Sequence, residues 1–394
     1  MKKSIKDIDL KNKKVIMRAD FNVPLKGEVI TDDTRIRESV PTIKYILEKP
    51  GTSLILMSHL GRPKGKVVPE MSLKPVAKRL SELLGKEVKM LNDCIGDEVR
   101  KMVVQLKPGD LLVLENLRFH IGEEKNHPDF AKELANSCDI YINDAFGAAH
   151  RAHASIVGIT EYINEVGAGF LMFNETKYLS KLMSNPERPF LVLLGGVKVS
   201  DKIGVIKQLI EIGDIFLIGG AMATTFLKAE GYDVGISKYE EDKLDVAREI
   251  LTLAKDKNKP FILPTDVKVT KDIKSSDYKC VHINEIPPDT MVVDIGEETK
   301  KIFCYEIINA KTLFWNGPLG AFENPAFQEG TFALAKCIAN QKNLISVVGG
   351  GDSAAAITKI GLEKSVSHVS TGGGASLEFL EGKVLPGVAA LDDK

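Results

Sequence analysis

The stretch FLVLLGGVKVSDKIGVIKQLIEIGDIFLIGG, residues 190–220, decides the fold. It opens on an unbroken apolar run, Phe190 to Leu194, and turns through Gly195-Gly196. Helical spacing follows over Lys202 to Ile212, and then a second apolar run, Ile215 to Ile218, closes on Gly219-Gly220. A strand with one wet face alternates apolar and polar residues, whereas a run that is apolar throughout is buried on both faces, as in a parallel sheet covered by helices. Strand, helix, strand is therefore the repeating unit, and the fold class it implies is α/β.

The same alternation fills the chain on either side. Before it lie Val15 to Met17, Leu54 to Met57, Leu111 to Leu114 and Ile140 to Ile142; after it lie Phe261 to Leu263, Met291 to Val293, Thr312 to Phe314, Ile345 to Val348 and a last short run near Val369. Helical spacing recurs between them, at Leu73 to Leu84, Asp242 to Ala254 and Phe327 to Ile338. The longest interval without a strand pattern, Ala154 to Arg188, contains the amphipathic Met172 to Met183 followed by Asn185-Pro186, and reads as a helix connecting two doubly wound, Rossmann-like parallel-sheet domains. The expected division is 1–171, a connecting helix 172–186, and 187–375.

Composition narrows the function. At 394 residues, and about 150 per domain, two or three domains are expected. Lys+Arg 53 against Asp+Glu 54 leaves a net charge of −1, without the basic surplus of a nucleic-acid binder. No apolar stretch follows the N-terminal lysines and none reaches the length of a membrane span, so the expectation is a cytoplasmic protein without membrane or nucleic-acid partners. Five cysteines, widely spaced and without a CxxC, predict neither a disulfide framework nor a zinc site.

Arginine and glycine are distributed unequally. Eight of the ten arginines lie within the first 151 residues, and Arg18, Arg62, Arg118 and Arg151 follow strand ends, which suggests a small polyanion held by guanidinium forks. Every Gly-Gly pair lies after residue 194: 195–196, 219–220, 349–351 and 372–374. Each follows a strand run, where bare backbone N–H groups and a helix N-terminus can meet phosphate, so a nucleotide is expected there in preference to simple close packing. A P-loop signature, a strand-coupled GxGxxG, HExxH and GxSxG are all absent. A side-chain-built anion site on one domain and a backbone-built nucleotide site on the other suit phosphoryl transfer, which depends on positioning and charge neutralisation.

The chain resembles the phosphoglycerate kinase family over its whole length, in bacterial-type form. The resemblance is carried by RADFNVP (18–24), MSHLGRP (57–63), LENLRF (114–119), DAFGAAHRAHAS (144–155), GGVKVSDKI (195–203), LPTDV (263–267), FWNGPLGAFE (314–323), GGGDSAAA (349–356) and STGGGASLEFLEGK (370–383). It implies reversible phosphoryl transfer from 1,3-bisphosphoglycerate to ADP, giving 3-phosphoglycerate and ATP, with Mg2+ as the cofactor, in a monomer. Carried over by position, it implies that Asp20, Asn22, Arg35, His59, Arg62, Arg118 and Arg151 bind phosphoglycerate. Lys198, Lys202, Gly220, Gly296, Asn316, Glu323, Gly350, Gly351, Asp352 and Ser353 are implied to bind the nucleotide. Arg35, Lys202, Gly350 and Gly351 would act on the migrating phosphoryl group, and Asp352 would hold the metal. The resemblance further implies that 376–394 returns to the first domain and that the domains close about the connecting helix. A non-catalytic two-domain anion-binding protein is the alternative, and it would need neither Lys202 nor Asp352.

Overall fold

The protein, described over residues 2–394 in a computed structural model, is built on two six-stranded parallel sheets. The first contains β1 (Lys14–Ala19), β2 (Ser53–Met57), β3 (Lys89–Met90), β4 (Leu111–Val113), β5 (Ile140–Asp144) and β6 (Glu165–Ala168), in the order β3-β4-β2-β1-β5-β6. Its central strands are buried on both faces, as their apolar runs require. The second half begins with β7 (Phe190–Leu194), β8 (Ile215–Ile218) and β9 (Phe261–Ile262). It continues with β10 (Asp266–Thr270), β11 (Lys279–His282), β12 (Met291–Ile295), β13 (Thr312–Asn316), β14 (Ile345–Gly349) and β15 (His368–Val369). Its parallel sheet runs β9-β8-β7-β13-β14-β15, the doubly wound order that reverses between β7 and β13 and opens a crevice at their carboxyl ends. In the first sheet the corresponding place lies between β1 and β5.

Five strands differ from the sequence expectation, β3 and β11 being short or exposed strands with no apolar run. Met291 to Val293 does not join the parallel sheet: β12 pairs antiparallel with β10, which pairs with β11, in a separate three-stranded sheet. β10 was invisible as an apolar run because Lys268 stands in its middle, 1% exposed and bonded at 2.7 Å to Glu329 Oε2. β6 lies inside the interval expected to be strand-free, where Glu165 and Gly167 interrupt any apolar run.

Eight helices matter below: α1 (Ile121–Glu124), α2 (Phe170–Ser184), α3 (Ile203–Ile212), α4 (Gly220–Ala229), α5 (Glu297–Asn309), α6 (Glu329–Ala339), α7 (Gly351–Lys359) and α8 (Gly374–Leu380). The chain forms two compact units, one running to Lys177 and taking in Val384–Lys394, the other Tyr178–Lys383. The boundary falls inside α2, which starts and stops two residues earlier than the expected 172–186. Its first turn is fixed from the first unit, where Thr42 Oγ1 accepts from Phe170 N–H at 3.0 Å and Asp144 Oδ1 from Met172 N–H at 3.1 Å. Burial pushes the Asp144 carboxyl up to about 7 against those hydrogen bonds.

The returning segment begins at Val384, not at Ser376. Residues 374–380 form α8, which packs on α3, and the Glu381 side chain that follows it lies against Gly204. Beyond it, Leu385 and Leu391 are buried, and Gly387 N–H donates to Ala149 O at 2.8 Å. The expectation of no disulfide is also corrected: Cys304 on α5 and Cys337 on α6 are bonded, with Cα atoms 6.0 Å apart. A separation of 33 residues carries no sequence signature, and only the packing of the two helices brings the sulfurs together. Cys94, Cys138 and Cys280 are free thiols.

Candidate functional site

In the first unit, β1 ends in Arg18-Ala19-Asp20 and places a row of polar groups at the crevice mouth. Arg35 Nη1 donates to Asp20 Oδ2 at 2.6 Å, and Asn22 Oδ1 accepts from Gly61 N–H at 2.9 Å. Arg118, 2% exposed, donates through Nη1 to Gly61 O at 2.9 Å, while its Nε is buried without a hydrogen-bond partner and lies 3.5 Å from Glu124 Oε1. Burial first, then the charges of Arg18 and Arg151, bring its pKa down to about 10. His59 feels the same group: burial, then Arg18, Arg118, Arg35 and Arg151, hold its pKa well below the ordinary value, so it is neutral. Arg151 is half-buried with Nε 3.1 Å from His150 Nε2, and Arg62 is exposed beside the tied-down Gly61. Four cations facing one buried neutral imidazole constitute an anion site.

In the second unit, a cleft of about 270 Å³ at the β7/β13 reversal is lined by Gly196, Lys198, Lys202, Asn316, Gly350, Gly351, Asp352 and Ser353, among others. Lys202 is 9% exposed just before α3 and donates from Nζ to Gly195 O at 3.0 Å. Burial lowers its pKa, and Asp201 and Asp352 resist the shift. Gly350 caps α7 at φ +90° with no side-chain cap, leaving the first-turn N–H groups to face the cleft. A second, mostly apolar cavity of about 280 Å³ continues from it, sharing Gly196, Val197 and Asp352 and adding Gly220, Ala221, Met291, Val293, Leu319 and Glu323. A phosphate-sized polar recess opening into an apolar slot is the shape of a nucleotide.

The two sites sit in a chain whose residues 5–383 match a sequence model described as phosphoglycerate kinase. The chain belongs to the phosphoglycerate kinase family. The phosphoglycerate kinase of Dictyoglomus turgidum is 58% identical over 391 residues, covering 99% of this chain and 98% of that one. That of Chloroherpeton thalassium is 54% identical, covering 100% and 99%. Among solved structures, phosphoglycerate kinase from Coxiella burnetii superposes with a TM-score of 0.90 at 40% identity, covering 99% and 98%, and that from Pyrococcus horikoshii with 0.86 at 33%, covering 98% of each.

Within this family framework, nine of the ten expected nucleotide residues line one cavity or the other. Gly296 lines neither. It caps α5, where Asp266 receives the Glu298 and Thr299 N–H groups and a Cβ on 296 would lie 2.2 Å from that carboxylate. Ser353 is present through its backbone, because its hydroxyl is committed to Gly317 N–H at 2.6 Å.

The glycine pairs divide as well. A Cβ on Gly195 would stand 2.2 Å from Pro318 O and one on Gly220 2.6 Å from Gly196 N, so these two pairs serve close backbone packing. At Gly351, Gly373 and Gly374 a Cβ would meet open space.

One positioning group escaped the sequence reading, and another, Arg18, was expected as a polyanion ligand. Glu240 grips the loop before α3, accepting from Val199 N–H at 2.6 Å, Ser200 N–H at 3.0 Å and Ser200 Oγ at 2.5 Å. Arg18 is wholly buried behind His59 and is a support rather than an exposed ligand. Of the described residues, Asp93, Cys94 and His120 form the one cluster of metal-ligating types. It is a closed pair: His120 Nε2 and Cys94 N–H both lie 2.6 Å from Asp93 Oδ1, and burial holds the thiol well above its usual range.

Proposed function

We propose that this chain catalyses reversible, Mg2+-dependent transfer of a phosphoryl group from the acyl phosphate of 1,3-bisphosphoglycerate to ADP, the first unit holding the phosphoglycerate and the second the nucleotide. The observation that carries this reading is the buried Lys202, hydrogen-bonded to a backbone carbonyl, beside the N-terminus of α7, which has no side-chain cap. Arg62, Arg118 and Arg151 clamp the remote phosphate as forks, and Asp20 and Asn22 hold the hydroxyl and carboxyl end with Arg35 near the reacting group. His59 acts as a hydrogen-bonding ligand, since transfer of an acyl phosphate to an ADP oxygen leaves no proton to abstract. Lys202 and the N–H groups of Gly350 and Gly351 follow the charge of the migrating group; Glu323 receives a ribose hydroxyl at the mouth of the apolar slot, and Lys198 and Asn316 face the phosphates. A coupled assay of ATP formation from 1,3-bisphosphoglycerate, with and without Mg2+, tests the reading; absence of Mg2+-dependent ATP formation refutes it. A non-catalytic anion-binding protein would leave Lys202 and Asp352 unexplained.

Asp352 is exposed, lines both cavities and is not the cap of α7, so its carboxylate is free to serve as the single protein ligand that Mg2+ takes alongside nucleotide phosphates. The ion would neutralise phosphate charge there. Asp352→Asn should raise the Mg2+ concentration giving half-maximal rate and impair use of MgADP. An unchanged Mg2+ titration would remove Asp352 from the metal site.

The two half-sites are carried by one chain, which supports a monomer, and by different units, which supports hinge closure during transfer. Small-angle scattering should report compaction with 3-phosphoglycerate and an ATP analogue together, and identical profiles with and without the pair would exclude it. Among the described residues no helix is long and apolar enough to cross a membrane, and with a glycolytic reaction this supports a cytoplasmic setting.

A further inference from the structure

Glu123 lies on α1 and is 0% exposed, an unusual place for a carboxylate that touches neither cavity mouth. Both its oxygens grip one residue: Oε1 accepts from Ser155 Oγ at 2.6 Å and Oε2 from Ser155 N–H at 2.9 Å. A hydroxyl has one proton, and Ser155 gives it to Glu123, so the Ser155 oxygen is left as an acceptor. Arg18 Nε donates to that oxygen at 2.9 Å. Arg18 is itself wholly buried, is further tied to Ala19 O, and places Nη2 3.0 Å from His59 Nδ1. Guanidinium can only donate, so His59 Nδ1 must accept, and in a neutral imidazole the proton then resides on Nε2.

The direction of every hydrogen bond in this line is set by its buried end. We propose that Glu123 is a positioning residue for phosphoglycerate recognition, acting through Ser155 and Arg18 to hold His59 in the tautomer that offers an Nε2–H donor to an anionic oxygen. Without it the Ser155 hydroxyl can turn its proton toward Arg18, the Arg18 fork loses its fixed point, and Nδ1 of His59 can take the proton instead. The surrounding charges reinforce the assignment. Burial raises the Glu123 pKa, and Arg18, the two Ser155 hydrogen bonds and Arg118 oppose that rise; His153 Nδ1 lies 3.8 Å away on a ring held neutral by burial and by the neighbouring arginines, so Glu123 is the carboxylate that faces the cationic cluster.

This inference rests on the proposed function for its kinetic readout but not for its spectroscopic one. Nitrogen-15 NMR of the imidazoles of the ligand-free full chain, with His59 assigned through His59→Gln, should show a single Nε2–H tautomer. Glu123→Gln keeps the volume, but it turns an N–H2 toward one of the Ser155 donors. Its His59 signals should shift toward a tautomer mixture, and the KM for 3-phosphoglycerate should rise about tenfold, with the KM for ATP unchanged. Ser155→Ala, which leaves the Glu123 charge in place, should reproduce both effects, and it carries the test if Glu123→Gln does not fold. Glu123→Asp should restore part of the loss. A wild-type His59 protonated on Nδ1, or variants with an unchanged His59 spectrum and unchanged 3-phosphoglycerate KM, would overturn the relay. A wild type with the Nε2–H tautomer but no turnover of 3-phosphoglycerate would instead refute the proposed function and leave the relay standing.

Discussion

Replacing Lys202 by Ala should lower kcat by about 10²–10³, the loss usual for one preorganised donor to transition-state charge, while the KM for ADP changes far less. The structural ground is the position of Nζ: desolvated, held on Gly195 O, and flanked by Asp201 and Asp352, which preserve its charge against burial. A backbone carbonyl is a weak partner for an ammonium compared with a phosphoryl oxygen, so the lysine is stored where it can be given up to substrate without an ion pair having to break. Single-turnover rates with the two substrates premixed would separate chemistry from binding. A Lys202→Ala enzyme with near-normal turnover would leave the migrating charge to the glycine N–H groups of α7 alone.

Arg118→Lys should weaken 3-phosphoglycerate binding by about 10–100-fold and leave nucleotide binding unaltered, because one charged hydrogen bond contributes about 1.5–3 kcal/mol. Arg118 already uses Nη1 on Gly61 O and keeps Nε buried with no hydrogen-bond partner. A buried guanidinium nitrogen that has only a 3.5 Å ion pair with Glu124 and no hydrogen bond is costly in the free protein, and an anion that accepts from it recovers part of that cost on binding. Lysine replaces the planar fork by a compact ammonium, whose three donors radiate from one atom and cannot reproduce the spacing between Gly61 O and an anion. Calorimetry showing equal affinity in wild type and variant would remove Arg118 from the phosphate clamp.

What the sequence made legible follows from which features are local. Phe190 to Leu194 and Ile215 to Ile218 announced a doubly buried sheet because nothing polar interrupts them, and the two structural strands begin and end at those residues. β10 stayed hidden because the ion pair that makes Lys268 tolerable in a strand comes from Glu329, 61 positions away. The glycine pairs looked alike in sequence, yet Gly195 and Gly220 answer to Pro318 and Gly196 in space while Gly351 faces open cleft, and only tertiary structure separates those causes. Arg118 and His59 stand inside segments that carry the family resemblance, whereas Arg35 lies outside them and was named by position alone. Glu123 was not readable from the residues alone, since an acidic residue in a first helical turn is ordinary and only its burial against Ser155 makes it otherwise. The Cys304–Cys337 bond was hidden for the same reason as Lys268.

The return of Val384–Lys394 to the first unit makes the completion of that unit wait for the last residues synthesised. Lys3 N–H donates to Asp392 O at 2.8 Å, and Leu385 and Leu391 are buried. On a translating ribosome, all of Tyr178–Lys383 must be made before that closing piece exists, a delay on the order of tens of seconds at the usual elongation rate. During it the unit begun first waits with the surface around Ala149 uncovered. A chaperone that attends the nascent chain should be found on the earlier-made half.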